Sequence, residues 1–122
     1  RVDGIYLTTD NTVFSAIASL VDVFGKAKKP IFSGDVTAAK DGGIFMASGF
    51  NYYKAGRATG EMVVQILKGA KPADIPVRFM TEPSDSDLLL DLDAAKNCGI
   101  KIPAEYLESA NMIFENGNLS EK

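Results

Sequence analysis

Short apolar runs alternate with segments of helical periodicity along most of this 122-residue chain. The runs that predict strands lie at residues 2–8, 30–33, 44–47 and 75–80. We expect the first of them to be buried on both faces, as strands of parallel sheets usually are. The segment that follows it carries Phe14, Ile17, Val21 and Phe24 on one helical face. This alternation predicts an α/β fold, a three-layer Rossmann-like domain with a mainly parallel sheet.

The second half of the chain continues with predicted helices. The longest helix is predicted over residues 52–68, before Gly69, and its Gly56 and Gly60 would allow another backbone to approach closely. After the apolar run 88–90, Asp91 or Asp93 is placed to cap a helix that Gly99 closes. Pro103 suits the first position of a last helix.

Composition argues for binding rather than catalysis. The chain has 16 acidic and 13 basic side chains, a net charge of −3, so no basic face is expected for nucleic acid. It has no histidine, which is the commonest general base and the commonest zinc ligand. Its single cysteine, Cys98, excludes an internal disulfide. No carboxylate pair is placed for acid–base work. We therefore expect no enzyme, no cofactor and no metal.

Ligands of parallel sheets collect beyond the carboxyl ends of the strands. The first such segment contains Thr9, Asp10, Asn11 and Thr12, and it opens a predicted helix. Free N–H groups and the helix dipole at that point favour an anion such as a ligand carboxylate. The alternative is that Asp10 or Asn11 only caps the helix.

Two further strand ends carry candidate ligand-binding residues. Asp35 follows the second predicted strand, where its carboxylate would hold an ammonium group or a sugar hydroxyl, or would cap a short helix. Asn51 and Tyr52 follow the third strand and would contact a flat apolar ligand, whereas Tyr53 is expected to pack in the core. Arg57 is expected to pair with Glu61, four residues on.

Four aspartates lie close together in the sequence, at Asp85, Asp87, Asp91 and Asp93. This pattern lacks the glycine and the glutamate that an EF-hand loop requires at its sixth and twelfth positions. We expect a solvated loop rich in capping residues and no metal site.

Several motifs occur in an order that is specific when taken together. KKPIFSGD is followed by NYYKAGRATGEMVVQILKGAKPADIPV, then by LLLDLDAAKNCGIKIP and ESA. This set, which spans nearly all of the chain, resembles the C-terminal half of the ABC-transporter substrate-binding protein family. These are type I periplasmic binding proteins, and they include the tryptophan/tyrosine-type proteins.

The resemblance implies a two-lobed receptor that closes on its ligand. Residues 1–115 would form its C-terminal lobe, with hinge-crossing segments near 48–53 and 73–82, and residues 116–122 would be a frayed polar tail. The helix at 52–68 would belong to the other, N-terminal lobe, so self-association is expected where that lobe is absent. The ligand would be an amino acid, possibly aromatic, with sugars and nucleosides open. The partner would be an ABC permease in the membrane, and the location extracytoplasmic, in the periplasm or as a lipoprotein on the cell surface.

Two alternatives share this architecture. A receiver-like signalling domain would be phosphorylated on an aspartate such as Asp35, but no second acid adjoins Asp10 and no lysine closes the run 75–80. The effector-binding domain of a regulator has the same fold, and fold alone does not separate regulation from transport. Such a regulator would also need a DNA-binding module, and the sequence contains none.

Overall fold

The computed structural model describes residues 2–122. The strands are β1 (Ile5–Leu7), β2 (Ile31–Ser33), β3 (Met46–Phe50), β4 (Ser86–Asp91), β5 (Met112–Glu115) and β6 (Asn118–Glu121). The helices are α1 (Asn11–Ser15), α2 (Ile17–Lys26), α3 (Tyr52–Leu67), α4 (Leu92–Cys98) and α5 (Ala104–Ser109). Short 3₁₀ turns occupy Thr37–Ala39, Pro72–Asp74 and Pro83–Asp85.

The chain divides into two compact units. The first unit comprises the chain up to Gly49 together with Asp87–Lys122, and the second is Phe50–Ser86. The second unit therefore interrupts the first in sequence, between strands β3 and β4.

A six-stranded sheet has its strands in the order β1-β2-β3-β4-β5-β6. Strand pairs β1–β2, β2–β3 and β4–β5 are parallel, and β6 is antiparallel to β5. The N–H of Asp91, the last residue of β4, donates to the carbonyl of Phe45, just before β3. Strand β4 therefore ends at the edge of the sheet where β3 begins. The predicted α/β class with a mainly parallel sheet is confirmed.

The core of the first unit lies between the sheet and the first two helices. Its buried residues include Leu7, Ile31, Ile44, Ala47 and Leu89. The apolar side chains packed against them from α1 and α2 are Val13, Phe14, Ile17, Leu20, Val21 and Phe24. The amphipathic face predicted from sequence is thus the face that covers the sheet. Full burial of a side chain such as Ile31 contributes about 1.5–3 kcal/mol before the entropy cost of folding, and the partly buried side chains of α1 and α2 contribute less.

The first and the fourth predicted strands differ from what the structure shows. Tyr6 in β1 is 65% exposed, so the predicted burial on both faces is wrong. Its neighbour Leu7 points to the opposite face and fills the core. Residues 75–80 form no strand, and Val77 and Phe79 are exposed. Pro76 lacks an N–H for a ladder, and no strand among residues 2–122 pairs with this segment.

The third predicted strand is displaced along the chain. Strand β3 covers Met46–Phe50 instead of 44–47, so it begins two residues later and includes Ser48 and Gly49. Pro103 is the N-cap of α5 instead of its first residue.

The end of the chain is ordered, and the predicted frayed conformation after residue 116 is wrong. Asn118–Glu121 forms β6, which pairs with β5 through a two-residue turn at Asn116 and Gly117. Both turn residues have positive φ, 52° and 74°, as the tight turns of β-hairpins require. Strand β6 has little apolar character, as is common for a strand at the edge of a sheet. Its side chain Leu119 packs against the core.

Candidate functional site

The carboxyl ends of β1 and β2 lie side by side in the first unit. Leu7 pairs with Ser33, and the N–H of Gly34 donates to the Leu7 carbonyl at 2.9 Å. The segment 9–12 follows β1 and Asp35 follows β2, so the structure brings these two groups of predicted residues to one edge of the sheet. That edge is the usual ligand-binding edge of an open α/β sheet.

Asp10 caps the first helix. Its Oδ1 accepts the N–H groups of Thr12 and Val13, at 2.8 and 3.0 Å. Capping is therefore the observed role of this carboxylate, and a ligand-binding role stays a prediction. Thr9, Asn11 and Thr12 are exposed along the same segment and present their polar side chains to solvent.

Asp35 is almost fully buried, with 5% of its surface exposed. Its Oδ1 accepts both the N–H and the hydroxyl of Thr37, at 2.8 and 2.6 Å. The Ser33 hydroxyl donates to the Asp35 carbonyl at 3.0 Å and accepts the Asp35 N–H at 3.1 Å. Asp35 thus belongs to a hydrogen-bonded turn, and its burial does not favour an accessible phosphate acceptor.

Gly49 brings the end of β3 to the same turn. A Cβ at this position would overlap the carbonyl oxygen of Gly34 and lie 3.2 Å from the Cα of Asp35. Only glycine allows this approach of two backbones. The sequence contained no signal for this contact.

Asn51 and Tyr52 lie in the second unit. Asn51 caps α3, since its Oδ1 accepts the N–H of Lys54 at 3.0 Å, and its own N–H donates to the Asp85 carbonyl at 3.0 Å. Tyr52 is 56% exposed and Tyr53 is 74% exposed, so the predicted packing of Tyr53 in the core is wrong.

A groove of 420 Å³ runs beside α3 within the second unit. Its lining includes Tyr53, Arg57 and Arg78. Glu61 pairs with Arg78 at 3.0 Å, not with Arg57 as predicted, because residues 75–80 lie alongside the helix. The predicted close approach at Gly56 and Gly60 is also not observed, since nothing lies within 4 Å of a Cβ built on either.

Asp91 is a buried carboxylate, 1% exposed, and the predicted solvated loop is wrong for it and for Asp87, 7% exposed. Its Oδ1 accepts the Ala94 N–H at 2.7 Å, and its Oδ2 accepts the Gly43 N–H at 2.6 Å. Burial raises the pKa of Asp91, and the charge of Asp93 adds to this, whereas the N–H bonds act against it. The sequence predicted the helix cap but not the bond to Gly43.

A cavity of 330 Å³ lies beside Asp91, at the opposite ends of the strands from Asp35. Its lining includes Ile31, the first residue of β2, with Val21, Asn97, Cys98 and Phe114. Cys98 is half-buried, and burial, followed by the charge of Asp91, raises its thiol pKa. Within residues 2–122 no three cysteine, aspartate or glutamate side chains are grouped so as to hold a metal ion.

The strand-end arrangement defines an α/β lobe of the kind that binds ligands beyond the carboxyl ends of its strands. Residues 1–113 match the family of ABC transporter substrate binding proteins, and the chain belongs to that family. This finding confirms the resemblance inferred from the sequence motifs.

Individual proteins that are similar to this chain are consistent with the family match. The chain is 29% identical over 99 residues to the tyrosine-binding protein of Clostridioides difficile strain R20291, covering 79% of this chain and 28% of the relative. It is similar to the ABC domain from Streptococcus pneumonia solved in complex with L-Trp, with 32% identity, a TM-score of 0.73 and coverage of 93% and 38%. A conserved domain protein from Vibrio cholerae has 34% identity, the same TM-score of 0.73 and coverage of 93% and 36%.

A ligand-free, open substrate binding protein with adhesive properties, from Clostridium difficile, is also similar. Its identity is 31% and its TM-score 0.64, with coverage of 82% of this chain and 33% of that one. The chain therefore spans less than two fifths of the length of each of these relatives. No helix described within residues 2–122 has both the length and the apolar character that crossing a membrane requires.

Proposed function

We propose that this chain supplies one jaw of the ligand cleft in the solute-binding component of an ABC importer. The ligand is a small solute, and an aromatic amino acid fits best. The family match over residues 1–113 carries this proposal. It is supported by relatives described as a tyrosine-binding protein and as a complex with L-Trp.

The first unit is the C-terminal lobe in this proposal. The second unit belongs with the other lobe, and the hinge crossings fall at 49–50 and 86–87, where the chain divides. In this proposal the crossing expected near 73–82 lies later in the chain. The large exposed side chains of the second unit, which include Leu67, Val77 and Phe79, support this assignment because such side chains usually face a partner.

The candidate residues suit the two ends of an amino acid. The hydroxyl and amide groups of Thr9, Asn11 and Thr12 would bind the ligand carboxylate. Asp10 or Asp35 would attract the ammonium group. Asn51 and Tyr52 would contact the ligand side chain, with the aromatic ring against a flat ligand. Binding proceeds without chemistry, and ligand contacts to both jaws drive a hinge closure.

The partners follow from the importer role. The closed, loaded receptor would dock on an ABC permease in the membrane and release its ligand there. This role requires an extracytoplasmic location, either in the periplasm or anchored to the cell surface as a lipoprotein.

The test is ligand-dependent thermal stability, because a ligand that binds the folded state raises its melting temperature by mass action. Both the 122-residue chain and a longer protein with the second jaw are measured against amino acids, sugars and nucleosides. L-Trp or L-Tyr is expected to stabilise the two-jawed protein and to leave the single jaw unchanged.

A pair of variants identifies the site. In the two-jawed protein, Thr12→Val should weaken ligand binding about tenfold, the effect of one hydrogen bond of roughly 1.4 kcal/mol. Ser19→Ala, a change of an exposed hydroxyl on α2, should leave binding unchanged. Transport by this protein would be refuted if no solute shifted the two-jawed protein while Mg²⁺ and a phosphodonor modified Asp35.

A further inference from the structure

The turn between β5 and β6 contains the sequence Asn116-Gly117. Asn116 is the only one of the chain's six asparagines that is followed by glycine. Both residues are exposed, and both have the positive φ of a tight hairpin turn, 52° and 74°. Glu115 and Asn118 pair across the two strands on either side of them.

An asparagine followed by glycine is open to attack by its own backbone. The glycine nitrogen loses its proton to water or hydroxide and forms a bond to Cγ of the asparagine side chain. The side-chain nitrogen then takes up a proton and leaves as ammonia, which gives a cyclic imide. Water opens the imide at either carbonyl to leave aspartate or isoaspartate. Glycine favours this reaction because it has no side chain to block its nitrogen.

Asp93 holds the attacking nitrogen in the folded chain. Its Oδ1 accepts the N–H of Asn116 at 3.1 Å, and its Oδ2 accepts the N–H of Gly117 at 3.0 Å. A carboxylate beside the Gly117 N–H opposes loss of that proton, since it would place a second negative charge against the first. Rotation of the Gly117 nitrogen towards Cγ would also break these charge-assisted bonds.

We propose that Asn116 is a site of spontaneous deamidation and that Asp93 slows the reaction in the folded chain. The product carries a new carboxylate close to that of Asp93, where like charges repel. Isoaspartate also adds a backbone atom to a two-residue turn, so the pairing of Glu115 with Asn118 is lost. The modified chain therefore loosens β6 from the sheet. The turn lies beyond residues 1–113, so this proposal is independent of the ligand-binding function.

The test follows deamidation by peptide mass spectrometry at mildly alkaline pH. The peptide that contains Asn116 gains the mass of an amide converted to an acid. In the folded state we expect Asp93→Ala to react about tenfold faster than the unchanged chain, the effect of losing one charge-assisted hydrogen bond. Asp22→Ala is the matched control, because it removes an exposed helical aspartate that pairs with Lys26, and it should react at the unchanged rate. In denaturant all three chains should react alike.

Hydrogen exchange in β5 shows whether each variant keeps its hairpin. If Asp93→Ala loses the hairpin, Asp93→Asn is used instead, because asparagine has the same shape as aspartate without its charge. The folded Asp93→Asn chain should still deamidate several times faster than the unchanged chain. Equal rates for the unchanged chain and a folded Asp93 variant would overturn the proposal. So would equal rates for the unchanged chain in its folded and denatured states.

Discussion

The carboxylate of Asp91 accepts the backbone N–H of Gly43 at 2.6 Å, although the two residues lie 48 positions apart. The Asp91 N–H also donates to the Phe45 carbonyl at 3.0 Å. These bonds join the end of β4 to the start of β3. Since β3 leads into the second unit from its last residue and β4 returns from that unit at its first residue, Asp91 joins the two strands at the ends away from these connections.

Replacing Asp91 by alanine should destabilise the chain by about 3 kcal/mol, because two half-buried N–H groups, of Gly43 and Ala94, lose their acceptor. Urea unfolding gives the free energy. Asp22→Ala should cost less than about 0.5 kcal/mol, since its exposed pair with Lys26 is a weak i,i+4 interaction. Equal losses of unfolding free energy in the two variants would show that the Asp91 hydrogen bonds do not stabilise the chain.

The raised pKa of Asp91 predicts a pH effect of definite sign. As pH falls from neutral, the folded chain takes up this proton before the unfolded chain does, so its stability relative to Asp91→Asn increases. This gain is complete below the ordinary carboxyl pKa of about 3.9, and it is lost as pH rises through the raised value. Unfolding free energies of the two chains across this range test it, and a difference that does not vary with pH would contradict it.

Gly49→Ala should destabilise the first unit by about 1–3 kcal/mol, since the new methyl group would overlap the Gly34 backbone. The matched change Gly56→Ala has nothing within 4 Å and lies inside α3, so it should stabilise the chain by up to about 1 kcal/mol. Thermal unfolding of both variants is the measurement. Similar shifts in the same direction would refute the close approach at Gly49.

Cys98 should react slowly with iodoacetamide at neutral pH, because burial and the charge of Asp91 raise its thiol pKa and the thiolate is the reactive form. Denaturant should speed the labelling at least several-fold. A folded Asp91→Asn chain should label faster than the unchanged chain, because the nearby negative charge is removed. Mass spectrometry at timed intervals gives the rates, and unchanged labelling in that variant would argue against this electrostatic effect.

Self-association is expected from the exposed apolar side chains of the second unit. Leu67, Val77 and Phe79 are 81%, 75% and 74% exposed. Sedimentation velocity should show a mass that rises with concentration, and Phe79→Ser should lower it, because contact between apolar surfaces drives such association. Val2→Ser, which changes a 57% exposed side chain of the first unit, is the control. A strict monomer at high concentration would refute the expectation.

The sequence predicted part of the candidate site, and for local reasons. Thr9–Thr12 and Asp35 could be placed at one edge because each follows a short apolar run, and neighbouring parallel strands end together. The hydrogen bonds that these residues make could not be predicted as well from the sequence. Asp35 bonds to Ser33 and Thr37, which compact local turns allow but do not require. No pattern marked Gly49, since its role depends on the backbone at Gly34.

Features that depend on a few neighbouring residues could therefore be read from the sequence alone. They include the α/β class, the amphipathic face of α1 and α2, the extent of α3 and the caps at Asp10, Asp91 and Gly99. Helical periodicity and capping act over three or four residues, so the sequence already contains their causes.

Tertiary structure decided the features that need a distant partner. Asp91 is buried because Gly43 and Phe45 meet it, Asn118–Glu121 is a strand because β5 lies beside it, and 75–80 is not a strand because no neighbour pairs with it. A backbone hydrogen bond in a sheet requires a second strand. Whether that strand is present is decided by how the whole chain packs.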